Sequence, residues 1–135
     1  DGPERAALEA AHPEANFLGS VNDAQLRWLY HNADFHLTAS HEDFGLTPLE
    51  AAAFGTPTIA PRQGGFLDTI IEGHTGLFFD ELSAQAIAKT IGQLAAAGLS
   101  PDALRAQAEA FSEERFAARI AQLVEQLAAG QIPER

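Results

Sequence analysis

Apolar residues follow two alternating patterns along the chain, short runs and helix-spaced stripes. Short runs rich in β-branched or aromatic residues predict strands at residues 16–18, 35–38, 58–60 and 77–79. Stripes with helical spacing and capping residues predict helices at residues 3–11, from Asn22 or Asp23 onward, 47–54, 66–71, 83–97, 101–109 and 112–128. Strands that alternate with helices predict a parallel sheet covered by helices.

The same pattern predicts which side chains form the core. The helix after Asn22 places Leu26, Leu29 and Tyr30 on one face. We expect Trp28, Tyr30 and Phe79 to be core aromatics and His36 to be a core histidine. The last helix carries one apolar stripe, formed by Phe116, Ile120, Leu123, Val124 and Leu127.

Composition narrows the class of protein. A length of 135 residues with 46% apolar residues predicts one domain with a real core. There is no cysteine, so disulfides and thiolate chemistry are excluded. No apolar run reaches the ~20 residues of a membrane span. No signal peptide is visible, and we expect a cytoplasmic protein, peripheral at the membrane at most.

The charge balance limits the ligands. A net charge of −11 argues against a nucleic-acid surface or a polybasic membrane patch. A phosphate site here must therefore depend on backbone N–H groups, a helix dipole and few cations, of which Arg62 is the candidate. The five histidines show no metal-ligand spacing, so no metal is expected.

Candidate chemistry centres on the segment from Glu42 to Glu50. The two carboxylates bracket a loop that contains Gly45, follows a predicted strand and runs into a predicted helix. A strand-to-helix turn of this kind presents backbone N–H groups and a helix N-terminus, which suit an anion. Carboxylates accept hydrogen bonds from hydroxyls, so a diphosphate joined to sugar hydroxyls fits the segment.

This segment resembles the E-x7-E motif of retaining nucleotide-sugar glycosyltransferases of the GT-B fold, glycosyltransferase family 4. The resemblance continues through residues 73–79 and extends upstream to residues 1–3 and 17–19, so it covers nearly the whole chain. In order, the matching positions of the central run are Glu42, Phe44, Gly45, Glu50, Ala51, Ala53, Gly55, Pro57, Ile59, Ala60, Gly64, Gly65 and Asp68.

The resemblance implies a doubly wound, Rossmann-like α/β domain with helices on both faces, the GT-B C-terminal domain. Residues 1–135 would be a partial nucleotide-sugar-binding domain without its first strands. The N-terminal acceptor domain and the basic pair that contacts the donor phosphates in the family would be missing, since Lys89 lies far from the motif. We therefore expect no transferase activity from the isolated chain.

The resemblance also implies roles for individual residues. Glu42 takes the catalytic position beside the donor sugar, and Glu50 binds the ribose hydroxyls. The remaining donor-binding positions are Phe44, Gly45, Leu46 and Thr47 around the diphosphate, Gly64 and Gly65 beside the sugar, and Gly19 and Ser20 at the nucleobase. No cofactor or metal is implied.

Several of these residues have a purely structural alternative. Thr47 and Glu50 fit a capping box, with Thr47 as N-cap and Glu50 three residues later. Gly45, Gly64 and Gly65 either let a ligand approach the backbone or only make turns. Gly19 and Ser20 fit a plain turn before a helix.

The leading hypothesis is the donor-binding part of a retaining glycosyltransferase that uses GDP-mannose or a UDP-sugar and a hydroxyl acceptor. Its partners would be the nucleotide-sugar donor and the missing acceptor domain, with no nucleic acid. The alternative is a non-catalytic nucleotide-binding or self-associating fragment, which forms homo-oligomers through exposed sheet edges. A phosphoacceptor regulatory domain fits poorly, because its clustered aspartates and late lysine are absent.

Overall fold

Three parallel strands lie at the centre of the computed structural model, which describes residues 2–130. Within that range the elements in chain order are α1 (Arg5–Ala11), α2 (Asp23–Asn32), β1 (His36–Leu37), α3 (Leu46–Ala53), β2 (Thr58–Pro61), α4 (Phe66–Thr69), β3 (Gly76–Phe79), α5 (Ala84–Ala97), α6 (Pro101–Ala110) and α7 (Glu113–Ala128). The strands lie in the order β1-β2-β3. Thr58 of β2 pairs with His36 on one side and Gly76 on the other.

Helices cover both faces of the sheet, because successive strand residues point to opposite sides. Ala60 and Phe78 pack on Phe66 and Ile70 of the α4 region. On the opposite face, the strand residues Ile59 and Phe79 pack on Leu94 of α5. The predicted parallel α/β sheet with helices on both faces is therefore confirmed.

One predicted strand is wrong. Within the described part of the chain, residues 16–18 pair with no strand. The Phe17 carbonyl instead accepts a hydrogen bond from Nη2 of Arg5, at 2.7 Å. A strand needs a neighbour to satisfy its backbone groups, and this segment has none, so it runs as irregular chain after α1.

The helix predictions are confirmed to within a few residues. α2 begins after Asn22, whose side chain accepts from the Gln25 N–H while the Gln25 side chain accepts from the Asn22 N–H. This reciprocal pair is a capping box. Ser83, Ser100 and Ser112 cap α5, α6 and α7 by a single bond, each serine accepting from a backbone N–H three residues later.

The core predictions are confirmed for Tyr30 and Phe79, which are 8% and 2% exposed, and wrong for Trp28, which is 64% exposed. Trp28 lies on the outer side of α2 and lines an open apolar cavity with Leu18 and Val21. The stripe on α7 also lies open, since that helix buries no residue.

Candidate functional site

The Glu42 carboxylate lies in the loop that leaves β1 and is held by a chain of hydroxyls. The Ser40 hydroxyl donates to Oε1 of Glu42 at 3.0 Å, and Oγ1 of Thr38 lies 2.9 Å from the Ser40 oxygen. Glu42 itself is exposed, as is Asp43 beside it. The local sequence had suggested no partner for Glu42, and Ser40 is that partner. One carboxylate oxygen is thereby oriented, and the side chain stays open to solvent.

The Gly64–Gly65 turn packs directly on this loop. The Gly65 N–H donates to the Glu42 carbonyl at 2.8 Å. A Cβ atom at Gly64 would lie 2.3 Å from the Glu42 carbonyl oxygen, and one at Gly65 would lie 2.2 Å from the Phe44 carbonyl carbon. Both glycines are therefore required because two backbones touch. The contact brings Gly64 and Gly65 together with Glu42 and Phe44, as the sequence predicted for one site.

Gly45 ends the loop and begins α3. Its φ of +78° is left-handed, and it is the N-cap of α3. A Cβ there would also lie 2.9 Å from Cδ1 of Phe66. The predicted capping box with Thr47 as N-cap is therefore wrong, because the helix begins one residue earlier, at Leu46. Gly45 is required by its backbone angle and its packing, which supports the turn interpretation.

The first turn of α3 keeps unused hydrogen-bond donors. Leu46 and Thr47 are its first two residues, and Gly45 has no side chain that caps their N–H groups. Pro48, the third residue, has no N–H. Leu46 and Thr47 line an open cavity of about 390 Å³ together with the loop from His41 to Gly45. The cavity thus joins a helix N-terminus, which attracts anions, to the loop of Glu42.

The aromatic and apolar side chains of the loop behave differently from each other. The Phe44 ring packs edge-on against the Phe111 ring, with centroids 6.3 Å apart. Leu46, in contrast, is 59% exposed. Phe44 is therefore partly a packing residue, whereas Leu46 presents its side chain to the cavity.

The Glu50 carboxylate accepts from a buried tyrosine. The Tyr30 hydroxyl donates to Oε2 of Glu50 at 3.1 Å, and Oε1 accepts from no donor within residues 2–130. Glu50 lines a second cavity, of about 320 Å³ between α2 and α3, with Arg27 and Phe54 among its other walls. Because Glu50 follows Thr47 by three residues, both lie on one helix face. Thr47 lines the first cavity, and Glu50 lines the second.

Burial controls the ionisation of the groups beneath Glu50. Burial, together with the charge and hydrogen bond of Glu50, raises the pKa of Tyr30 to about 12. The ring of His36 packs edge-on against Tyr30, with centroids 5.9 Å apart. Burial lowers the pKa of His36, and the negative charge of Glu50 partly offsets that effect. The partly buried position of His36 agrees with the predicted core histidine.

Arg62 is engaged by two carboxylates. Its Nη1 and Nη2 atoms donate to the two Glu72 oxygens at 2.8 and 2.5 Å, and Nε donates to Asp80 at 2.7 Å. The guanidinium also lies over the Phe78 ring, 4.9 Å from its centroid. The predicted phosphate cation is therefore already bonded to two carboxylates, and its bond to Asp80 ties the end of β2 to the end of β3.

The remaining predicted site residues lie elsewhere. Gly19, with a φ of +66°, lines a separate cavity with Arg5 and Leu8 of α1, and Ser20 follows it in the turn before α2. Asp68 is exposed in the first turn of α4. The structure therefore does not bring the proposed nucleobase residues Gly19 and Ser20 into the cavity of Glu42.

The described residues contain neither a metal-binding group of side chains nor a membrane-spanning helix. In the range 2–130 no three His, Asp or Glu side chains form a group that could hold a metal ion. No helix in the same range has the length and apolar character needed to cross a membrane.

Comparison with known families identifies the family to which the chain belongs. The sequence model of the family described as glycosyl transferases group 1 matches residues 4–111. The chain belongs to this family. The match covers α1 to α6 and includes both carboxylates of the motif.

Individual relatives agree with this family assignment. A GDP-mannose-dependent alpha-mannosyltransferase of Corynebacterium glutamicum is 40% identical over 81 residues, which are 59% of this chain and 20% of that protein. The sucrose-phosphate synthase structure from Thermosynechococcus elongatus superposes with a TM-score of 0.74 at 31% identity, covering 96% of this chain and 36% of that one. The chain thus spans about a fifth of the mannosyltransferase and about a third of the solved chain.

A second solved structure shares the fold. HepE of Anabaena, solved in complex with UDP, superposes with a TM-score of 0.61 at 22% identity, covering 93% of this chain and 38% of that one. The fold of this group 1 glycosyl transferase is therefore the doubly wound α/β fold expected from the GT-B resemblance.

Sequence reasoning missed two residues of the site. Tyr30 was assigned to the core only, and Ser40 was given no role. A signal for Tyr30 existed, because a buried tyrosine hydroxyl needs a hydrogen-bond partner. Ser40 lies two residues before an acidic residue in a loop, a spacing at which serine hydroxyls bond locally.

Proposed function

We propose that the chain binds a nucleoside-diphosphate sugar, and that the whole enzyme transfers the sugar to a hydroxyl acceptor with retention at the anomeric carbon. The observation that carries this proposal is that α3 borders both cavities, with Leu46 and Thr47 lining one and Glu50 lining the other. Within residues 2–130, no side chain caps the N-terminus of α3 beside the Glu42 loop, and Oε1 of Glu50 accepts no hydrogen bond.

The diphosphate would lie at the N-terminus of α3. The N–H groups of Leu46 and Thr47 and the helix dipole would stabilise its negative charge. Charge on the diphosphate grows as the bond to the sugar breaks, so fixed donors at this point favour the reaction. With Arg62 engaged by Glu72 and Asp80, the backbone carries most of this role.

The two carboxylates would hold the two sugars of the donor. Oε1 of Glu50 would accept from the ribose hydroxyls. Glu42, oriented by Ser40 and exposed to the cavity, would orient the transferred sugar, with the Gly64–Gly65 turn beside it. No side chain is assigned as a nucleophile, and the two-carboxylate hydrolase scheme is not invoked. Gly19 and Ser20 would contact the nucleobase.

The donor we propose is GDP-mannose or a UDP-sugar, with no metal or other cofactor. The relative from Corynebacterium is named as GDP-mannose-dependent, and the HepE structure contains UDP. Residues 1–135 would act as the nucleotide-sugar-binding part, and an N-terminal acceptor domain would complete the enzyme. We expect residues 1–135 alone to lack transferase activity, because they span only about a fifth of the mannosyltransferase.

The alternative remains a non-catalytic nucleotide-binding or self-associating module. One observation favours it, namely the exposed apolar face of α7, where Phe116, Val124 and Leu127 are 66%, 59% and 61% exposed. An open apolar face of this kind is typical of an interaction surface.

Calorimetric titration with GDP, UDP and ADP tests the proposal. We expect saturable binding of one nucleotide, and we expect Glu50→Ala to weaken it about tenfold or more, which is 1.4 kcal/mol or more. Glu114→Ala, which removes an equally exposed carboxylate from α7, is the matched control and should leave the affinity unchanged.

Absence of binding by a folded chain would contradict the donor-site proposal and favour the alternative module. Equal affinity of the parent chain and the Glu50→Ala variant would show that Glu50 does not hold the nucleotide, and would contradict its ribose-binding role.

A further inference from the structure

Tyr30 is held more firmly than any other group near the candidate site. Its ring is 8% exposed, stacks on Phe54 with centroids 6.1 Å apart, and meets His36 edge-on. The Thr56 hydroxyl donates to its backbone carbonyl. These contacts come from β1 and from the segment after α3, while Tyr30 itself belongs to α2. Two other parts of the fold therefore hold the tyrosine in place.

The hydroxyl group of Tyr30 points out of the core. It donates to Oε2 of Glu50, a side chain that is otherwise exposed on α3. A glutamate with three rotatable bonds samples many positions when it is free. A fixed donor on one oxygen removes most of those positions and leaves the other oxygen, Oε1, at a defined place in the cavity between α2 and α3.

We propose that Tyr30 is a positioning residue, which fixes the Glu50 carboxylate so that Oε1 faces the ribose hydroxyls of the donor. This inference rests on the proposed function, since it assigns a role to the residue that supports the ribose-binding carboxylate. Tyr30 does not contact the donor itself. Its effect on binding comes from ordering Glu50 before the ligand arrives.

The charges around Glu50 fit this arrangement. The neutral phenol donates a hydrogen bond to the Glu50 carboxylate. A hydrogen bond to a charged acceptor is stronger than one between two neutral groups. His36, packed on the other side of the ring, has its pKa lowered by burial, so the neutral imidazole is favoured there. Arg27 lines the same cavity, but within residues 2–130 the hydrogen bond to Glu50 comes from Tyr30 and not from Arg27, so Tyr30 is the donor that orients the carboxylate.

The test is a comparison of nucleotides with and without ribose hydroxyls. Tyr30→Phe keeps the ring packing and removes only the hydroxyl. We expect it to weaken binding of the preferred nucleoside diphosphate about three- to tenfold, and to leave binding of its 2′,3′-dideoxy form unchanged. On a Glu50→Ala background the same change should have no further effect, because the group that it orders is gone.

Asn32→Ala is the matched control. The Asn32 side chain donates to the Trp28 carbonyl at the end of the same helix, so its removal also costs α2 one side-chain hydrogen bond. We expect no change in affinity for either nucleotide. A loss in Tyr30→Phe that is equal for both nucleotides would indicate general damage to the fold and would overturn the inference.

The outcomes distinguish a failure of this inference from a failure of the proposed function. If Glu50→Ala weakens binding and Tyr30→Phe does not, Tyr30 has no positioning role while the proposed function stands. If nucleotide binds and neither variant changes the affinity, Glu50 holds no ribose, and both proposals fail. If both variants weaken binding and do so only for the nucleotide with its hydroxyls, both are supported.

A second measurement does not need the nucleotide. Tyr30 is the only tyrosine, so a chain labelled with ¹³C at the tyrosine ζ carbon gives one resonance that needs no assignment. We expect Glu50→Gln to shift this resonance at neutral pH, because the charged acceptor is replaced by a neutral amide. An unchanged resonance would mean that the phenol does not donate to Glu50, and would overturn the inference.

Discussion

At the scale of one side chain, His36 makes the stability of the folded chain depend on pH. Its Nδ1 lies 3.3 Å from the Thr58 hydroxyl, and burial lowers its pKa in the folded chain below that in the unfolded chain, about 6.5. The unfolded chain therefore binds the proton more readily. The stability contribution is present above pH 6.5 and is lost as the pH falls through 6.5 toward the lower folded pKa.

We therefore expect the free energy of unfolding to fall between pH 7.5 and 5.5, and to fall less in a His36→Val variant, in which this titration is absent. Urea unfolding at both pH values measures it. His74→Gln, which replaces an exposed histidine in a turn, is the control and should retain the full dependence. An equal loss in the parent chain and in His36→Val would rule out His36 as the source.

Residue roles were only partly predictable from the sequence. Glu42 and the glycines at 64 and 65 are neighbours, as the sequence predicted, because the turn after β2 packs on the loop after β1. Glu50 instead lines a separate cavity between α2 and α3. The capping role of Thr47 was wrong, since a left-handed Gly45 begins the helix earlier and no side chain is then needed at that end. The partner of Glu50 is twenty residues away and was not visible in any local pattern.

At the scale of elements, the contact between two loops determines the shape of the site. The Gly64–Gly65 turn lies against residues 42–44, with no room for a side chain between them. Gly65 has an ordinary φ of −65°, so a substitution there tests packing without backbone strain. Gly92 in α5 is the natural counterpart, because a Cβ there would meet nothing within 4 Å.

We expect Gly65→Ala to destabilise the chain by about 1–3 kcal/mol or more and to weaken nucleotide binding, because the Glu42 loop must move away. Gly92→Ala should instead stabilise it by about 0.5–1 kcal/mol, as alanine favours the helix. Denaturant unfolding of both variants, with a nucleotide titration, makes the comparison. Similar stability in the two variants would show that the loops yield without cost.

Helices were predicted more reliably than strands. Four of the helices, α2, α5, α6 and α7, begin after a side chain that caps them, so local sequence defines where they start. A strand needs a partner, and residues 16–18 have the composition of a strand without one. β1 is also shorter than predicted, because only His36 and Leu37 pair with β2.

At the scale of the whole molecule, the exposed apolar stripe of α7 leads us to expect self-association. Its exposed apolar residues lie within one stripe, and nothing in residues 2–130 buries them. We expect a concentration-dependent increase in sedimentation coefficient that Phe116→Ser combined with Val124→Ser abolishes. The matched control, Gln122→Ser with Glu125→Ser, alters the polar face of the same helix and should leave association intact.

A chain that stays monomeric over a wide concentration range would show that the stripe does not bind a second copy. Association that persists in the Phe116→Ser, Val124→Ser variant would move the interface away from α7, toward an exposed sheet edge, the surface predicted from the sequence.

The family was predictable at this scale because a long ordered run of residues carries it. The sugar, base and acceptor were not, since the described residues show one helix face and two cavities that suit any nucleoside diphosphate. The conformation of the loop between β1 and α3 also depends on the turn after β2, a contact that no single segment of sequence reveals.

The order of the strands has a consequence for how the chain is made. β1, β2 and β3 are neighbours in space in the same order in which the ribosome synthesises them, and residues 36–79 contain all three. Each new strand therefore finds its partner already present, and only a short stretch of chain has to close before they pair. The sheet beneath the candidate site can grow by one strand and one helix at a time during translation.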